Sequence, residues 1–284
     1  MSRVRRSSWS SFLLGACIAA AVAVGSGALF NVVSASSPLR TRDTAATQES
    51  AGYATPEDAV SAYIEALQQA DLQAMASAFA IETYAANYDF TGYLELIRAY
   101  SPTAPIKLPA SDPFNVALNI ESRSAQVVGG ILYQYLRLCC PDLYPVQVEA
   151  LPDDAAVAHF VDDLSTHASS EVLTSIGSFT FVPLEEVSAD TYELYTSDRN
   201  EDNIGAREAV LGADELTDLA VRFRSHDGDV YALFSVVRYG DKWWLSELGG
   251  TFATLLDIGL TDGGIVRVDP TDQTDQTDQT DQTD

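Results

Sequence analysis

The stretch LTDLAVRFRSHDGDVYALFSVVRYGDKWWLSEL, residues 216–248, alternates apolar and polar positions with a period of two. That period predicts strands over Leu216–Ser225, Asp229–Tyr239 and Lys242–Leu248. Asp227-Gly228 suits a tight turn in which both central residues need positive φ, and Gly240-Asp241 suits the mirror-type turn with glycine first. Two-residue turns impose antiparallel pairing, so these strands form a meander. Another strand is expected over Thr174–Val182.

Before that stretch the period is helical. Thr55-Pro56-Glu57-Asp58 is a strong helix start: Thr55 caps, Pro56 suits the first helical position, and two acids favour the positive helix end. Ala59, Val60, Tyr63, Ile64 and Leu67 then repeat every three or four residues. Asp71 caps a second helix with Leu72, Met75, Ala76 and Phe79 inward, and Asp89 a third with Phe90, Tyr93, Leu94 and Ile97 inward. Pro102, Pro105, Pro109 and Pro113 break the pattern. A fourth helix is expected over Ser122–Leu138, with Val127, Val128, Ile131, Leu132, Tyr135 and Leu136 as its stripe, stopped by Pro141. A short one follows over Asp153–Leu164, with Val157, Phe160, Val161 and Leu164 in register. These stripes read as faces packed against the sheet. Helices first and antiparallel strands afterwards make an α+β domain.

The opening TPEDAVSAYIEALQQADL, residues 55–72, resembles the first helix pair of the nuclear-transport-factor-2-like superfamily, and VVRYGDKWWL, residues 236–245, resembles its last strands. The resemblance covers roughly 80 residues at the two ends of the domain, and residues 100–210 lie outside it. It implies a cone in which a curved sheet wraps around an amphipathic helix, enlarged by a helical insertion over about 101–170. In detail the chain is similar to exported bacterial proteins carrying such a domain. Cone folds host isomerases, dehydratases, polyketide cyclases, transport factors and ligand-free modules, so the resemblance selects no activity.

The amino terminus bears on location. Arg3, Arg5 and Arg6 precede an uncharged run from Phe12 to Val33, followed by Val33-Ser34-Ala35. Basic residues, an apolar run and small residues match an export signal cut after Ala35. The run is also long enough to cross a bilayer, so an uncleaved membrane anchor fits equally. Either way residues beyond 36 face outward. Leu14-Gly15-Ala16-Cys17 resembles a lipobox in which Cys17 carries lipid, although a weak apolar core precedes it. Residues 36–54 read as a flexible tether, 55–268 as the domain, and 269–284, with Thr-Asp-Gln four times over, as a disordered tail.

Charge and motifs narrow the chemistry. The chain carries 41 acids against 16 bases, a net charge of -25, which repels phosphate backbones and excludes a nucleic-acid partner. Cys139 and Cys140 are neighbours and read as two packed thiols rather than a disulfide framework. His159, His167 and His226 have no partner at metal-binding spacing, and no Gly-x-Ser-x-Gly or phosphate loop occurs. Asp198, Asn200 and Asp202 offer oxygens at calcium-loop spacing, but Asn203 and Ala209 stand where glycine and glutamate are needed. No cofactor is expected.

Asp214, Glu215 and Glu247 are the carboxylates near the expected cavity, and Arg222 and Arg224 share one face of a strand. Glu247 falls on the strand face of Trp243 and Leu245, where apolar walls would raise its pKa and make it a base. The favoured expectation is a non-catalytic, extracytoplasmic binding or interaction module. It would be tethered through residues 12–33 and take a small apolar ligand, a cell-envelope protein or a second copy of itself. The alternative is a cofactor-independent lyase or isomerase using Glu247, with Trp243 as ligand wall.

Overall fold

The computed structural model describes residues 49–98, 108–141 and 150–268. The span Phe12–Val33, Cys17, the cut after Ala35 and the repeat tail from residue 269 lie outside the described residues. Among the described residues no helix is long and apolar enough to cross a membrane.

Local capping sets the first helices. Thr55 Oγ1 accepts the Asp58 amide at 3.0 Å and starts α1 (Pro56–Gln68). Asp71 accepts the Ala74 amide to start α2 (Leu72–Ser77), and Asp89 accepts the Thr91 and Gly92 amides to start α4 (Phe90–Ile97). Between them lies α3 (Glu82–Asn87), which no periodicity predicted. Its cap comes from a distance: Glu49 Oε2 accepts the Ile81 amide at 2.8 Å and the Thr83 amide at 3.0 Å. None of the residues of α4 is buried, against the inward face expected for it.

The long helix α5 (Pro113–Cys139) starts well before the expected Ser122. Asp112 caps it, and Pro113 occupies the first helical position, where its missing N–H costs nothing. Its buried face mixes Val127, Ile131 and Leu138 with Asn119, Arg123 and Gln134, whereas Leu132 points to solvent. Helix α6 (Asp154–His167) begins at the Asp153 cap as expected, but Val157 and Val161 are exposed and no residue of it is buried. The expected strand over Thr174–Val182 divides into α7 (Ser170–Thr174), capped by Ser169, and a shorter β1 (Phe179–Val182). The helices α8 (Leu184–Val187), α9 (Ala189–Tyr195) and α10 (Asp198–Leu211) follow.

The sheet then forms from β2 (Glu215–Ser225), β3 (Gly228–Tyr239) and β4 (Lys242–Leu248), an antiparallel meander as the period of two required. Ser225 pairs with Gly228, so His226-Asp227 form the first turn, one residue before the expected pair. Gly240 opens the second turn at φ +63. After α11 (Gly250–Leu255) and a 3-10 turn (Leu260–Asp262), β5 (Ile265–Arg267) pairs with Val230–Ala232, sharing one edge of β3 with β4. Strand order is β1-β2-β3-β4, every pairing antiparallel. The outer edge of β4 is closed by bridges from Tyr53 to Trp243 and from Phe79 to Leu245. Residues 49–54, expected in the tether, are thus bonded to the domain.

Helices cover both faces of this open α+β sheet. On the front, α1, α2, α5 and α7 bury Tyr63, Ile64, Phe79, Val127 and Leu173 against Val221, Phe234, Val236 and Leu245. Tyr63 meets Phe79 and Phe234 edge-on, with centroids 5.7 and 5.6 Å away. Its hydroxyl donates to Gln134 Oε1 at 2.7 Å, and Gln134 Nε2 donates to the Gly263 carbonyl at 2.8 Å. Burial pushes the Tyr63 phenol far up, so it stays neutral.

Gly263 has φ +58, and a Cβ there would lie 2.3 Å from the Gln134 Cα. Gly263→Ala is therefore expected to lower stability by about 3 kcal/mol in urea unfolding, combining strain and overpacking. Gly129→Ala, inside α5 with nothing within 4 Å of its Cβ position, should gain about 0.5–1 kcal/mol. Equal effects at the two glycines would contradict this packing.

Candidate functional site

On the back of the sheet, successive rows of side chains run across the strands. Leu216, Val237 and Trp244 form an apolar row, and Ala220 and Leu233 another beneath Phe252. Between them runs a polar row of Asp218, Ser235 and Glu247.

A β-bulge puts Glu247 there. Ser235 pairs with Glu247 but Val236 pairs with Leu245, so Ser246 is the extra residue and alternation resets after it. Glu247 therefore leaves the face of Trp243 and Leu245, contrary to the reading of an uninterrupted strand. Trp243 stays in the front core, with Arg238 5.7 Å above its ring. The two residues expected to share a ligand wall lie on opposite faces.

The bulge is held from α5. Arg123, 5% exposed, donates through Nη2 to the Ser246 carbonyl, through Nε to the Ala80 carbonyl at 3.3 Å, and through Nη1 to Gln126 at 3.0 Å. Its guanidinium also lies 4.3 Å from the Tyr84 ring. Burial raises the Tyr84 pKa, and Arg123 opposes that rise.

Helix α10 brings Arg207 to the polar row. Nη2 donates to Glu247 Oε1 at 2.6 Å, and Nη1 donates to Thr251 Oγ1. Both side chains of the ion pair are about one-third exposed. Burial disfavours the Arg207 charge, but Glu247, joined by Asp218 and Tyr84, raises its pKa overall. Glu247 is thus engaged by a guanidinium at a partly exposed position, not isolated against apolar walls.

Asp218 is the buried carboxylate. Its Oδ2 accepts the Phe252 amide at 2.7 Å, and a Cβ on Gly250 would come within 2.5 Å of its Oδ1. Burial raises its pKa to about 6. The Phe252 amide and the Ser235 hydroxyl pull it back down, Glu247 adds to the rise, and Arg207 opposes it. Tyr195 stands beside it, accepting the Asp218 amide at 3.3 Å, and burial pushes its phenol up to about 12. Gly250 and α11 seal this carboxylate, and its chemistry here is to seat α11 on the sheet.

Next to the Arg207–Glu247 pair runs a groove of about 470 Å³. Its walls are Leu248, Ala253, Ile258 and Leu260, with Gly249 and Gly250 at the floor and Thr254 and Asp257 at the rim. A smaller depression of about 190 Å³ lies by Thr180, Arg222, Arg224 and Asp229.

The other residues singled out from the sequence lie apart from the groove. Asp198, Asn200 and Asp202 sit in the first two turns of α10 rather than a loop, and Asn200 is buried, donating to the Tyr195 carbonyl at 2.7 Å. Among the described residues no group of three or more His, Cys, Asp or Glu side chains is arranged to hold a metal. His159 pairs with Asp163 at 2.9 Å, and His226 is largely exposed at a hairpin. Asp214 accepts the Gly240 amide, Glu215 pairs with Arg238, and Arg222 pairs with Asp229 at 2.9 Å. Cys139 and Cys140 are buried free thiols, and burial pushes Cys139 up to about 12.

Sequence reasoning passed over Arg207, Arg123 and Asp218. Only Asp218 left a signal: a carboxylate at an inward position between Leu216 and Ala220.

No family model and no curated protein matches the chain. Among solved structures it is similar to a cystatin-like protein from Ruminococcus gnavus, at 16% identity and a TM-score of 0.34. The match covers 67% of this chain and 39% of that one, so the chain spans about two-fifths of that protein.

Asp218 gives the site a pH signature. Folding raises its pKa from 3.8 to about 6, so the folded state holds the proton more tightly than the unfolded chain. Its contribution is complete below the unfolded value and is lost as pH rises towards 6. Asp218→Asn should therefore gain about 3 kcal/mol relative to the parent between pH 4 and 7, followed by urea unfolding at each pH. A difference constant with pH would contradict the assignment.

Proposed function

We propose that the chain is an extracytoplasmic, membrane-tethered binding module of cone type, taking a small, largely apolar ligand in the groove beside Arg207 and Glu247. The Arg207–Glu247 ion pair carries this reading: it marks one end of a mostly apolar channel with polar groups that orient a ligand. The arginine-flanked run Phe12–Val33 supports the tether and outward location. The helix pair at the start and the meander at the end support the cone assignment.

The front interior, where a cone enzyme keeps its cavity, is occupied by Tyr63, Phe79 and Phe234, each fully buried. A lyase or isomerase using Glu247 needs that carboxylate unpaired and desolvated. Here the Arg207 guanidinium pairs with it at a partly exposed position, which favours binding over proton abstraction.

The location is checked with protease added to cells whose outer layers are opened but whose cytoplasmic membrane is intact. Residues 49–268 should be digested while a cytoplasmic marker survives; protection of both would overturn the location. The groove is checked with cis-parinaric acid, an apolar chain with a carboxylate end, titrated against the full chain. Thr254→Trp, an exposed rim residue that would fill the channel, and Arg207→Ala should each weaken binding by roughly tenfold or more, about 1.4 kcal/mol. Unchanged binding in both variants would remove the groove from the account.

A further inference from the structure

We infer that the groove beside Arg207 and Glu247 selects apolar amines, with the ligand's ammonium against Asp257 and its alkyl or aryl body along Leu248, Ala253, Ile258 and Leu260. The assignment rests on the groove being a ligand site, and adds the charge and hydrogen-bonding class of what it takes.

The donors and acceptors around the groove decide the head group. Its lining amides are already committed to the protein. Gly249 donates to the Leu233 carbonyl at 2.8 Å, Asp257 to Thr254 at 3.1 Å, Ile258 to Ala253 at 2.9 Å, and Gly259 to the Asp262 carboxylate at 3.0 Å. The Thr254 hydroxyl donates to the Gly250 carbonyl at 3.0 Å. Arg207 spends both terminal nitrogens, on Thr251 and on Glu247 Oε1. Acceptors remain open: among the described residues, neither Glu247 Oε2 nor the Asp257 carboxylate accepts a hydrogen bond. A carboxylate head, which only accepts, finds few donors here. An ammonium, which only donates, matches what is left.

Charge points the same way. Arg207 pairs with Glu247, and Asp262 lies near Arg137. Asp257 has no ion pair among the described residues, so its carboxylate is the surplus charge at the rim. The whole chain, with 41 acids against 16 bases, adds a field that gathers cations and repels anions.

Asp257 is also placed against local preference. It follows α11 at φ +61, the left-handed position at which glycine is the usual residue to end a helix. Asp tolerates that conformation better than most side chains, but glycine does so without strain. The position also puts an acid beside the negative end of α11, where bases are favoured. A residue that helps neither the backbone nor the helix end thus leaves a carboxylate on the channel. Along the same channel Leu260 is 75% exposed, so the apolar body of a ligand would cover surface that otherwise meets water.

Octylamine, 1-octanol and octanoate, which share one chain length and differ in the head, test this on the full chain at neutral pH. Each is titrated below its micelle concentration against the uncharged fluorophore N-phenyl-1-naphthylamine. The groove signal is the part of the fluorescence that Thr254→Trp abolishes. Octylamine should displace the fluorophore roughly fivefold more tightly than 1-octanol, with octanoate weaker than either. Asp257→Asn keeps a residue that tolerates the left-handed region and removes one of 41 acids, so the overall field barely changes. It should bring octylamine within about twofold of 1-octanol, with 1-octanol binding and the far-ultraviolet circular dichroism spectrum unchanged. Octylamine binding no tighter than 1-octanol would overturn the inference and leave the groove standing. So would a preference that survives Asp257→Asn, which would belong to the general field of the chain. A fluorophore signal that Thr254→Trp leaves intact, or displacement by none of the ligands, would remove the groove itself and the inference with it.

Discussion

The back of the sheet depends on the extra residue at Ser246 and on the arginine that holds it. A bulge costs ladder hydrogen bonds and persists where something else satisfies the freed groups. Arg123 does this by donating to the Ser246 carbonyl from a helix more than 100 residues earlier in the chain. Its own buried charge is tolerated because the Ala80 carbonyl, Gln126 and the Tyr84 ring occupy the rest of the guanidinium. Without the bulge, strict alternation would turn Glu247 into the front core beside Leu245, a burial no unpaired carboxylate sustains. With it, Leu248 faces inward, Glu247 reaches Arg207, and the two apolar clusters of the back face are separated by a row of polar side chains.

The front face is organised by a second long-range polar chain. Tyr63, Gln134 and the Gly263 carbonyl connect α1, α5 and the turn before β5, joining segments up to 200 residues apart. Aromatic contacts would fill this interior in several arrangements, but hydrogen bonds to a buried amide accept very few. The same residues occupy the space a catalytic cavity would need. What the molecule offers to a ligand is accordingly displaced to the back, where Gly249 and Gly250, at φ +99 and +85, lead the chain from β4 into α11 and leave the channel floor without side chains.

Elements with local determinants were legible in the sequence. Thr55, Asp71 and Asp89 cap the helices that follow them, and the period of two placed β2, β3 and β4 within a residue or so of their observed limits. Elements whose determinants are distant were not. The cap of α3 is Glu49, more than 30 residues upstream, so nothing in residues 78–88 announces a helix. Pro113 reads equally as a breaker or as a first-turn residue until Asp112 is seen to cap it. The site failed for the same reason: the face of Glu247 depends on Arg123, and its ion pair depends on how α10 returns across the sheet. Asp198-Arg199-Asn200-Glu201-Asp202 has calcium-loop spacing, but acids in the first turn after a serine, Asp198 and Glu201, are also an ordinary helix start, and here Asn200 is turned inward.

Helix α5 shows why an apolar stripe does not by itself reveal what it packs against. Its sequence contains two longitudinal faces, and periodicity selects the more apolar as the core side. The folded chain buries both Val127 and Ile131 but also Asn119, Arg123 and Gln134, because those polar groups find partners in the bulge, the loop before α5 and the turn before β5. Leu118 and Leu132 are left in water. Polar side chains that are fully satisfied inside fix the orientation of the helix, since rotating it would strand a guanidinium and an amide in a dry interior. The helix therefore cannot relieve its exposed stripe by turning over. The apolar surface that orientation leaves outside can be removed from water only by contact with another segment or molecule.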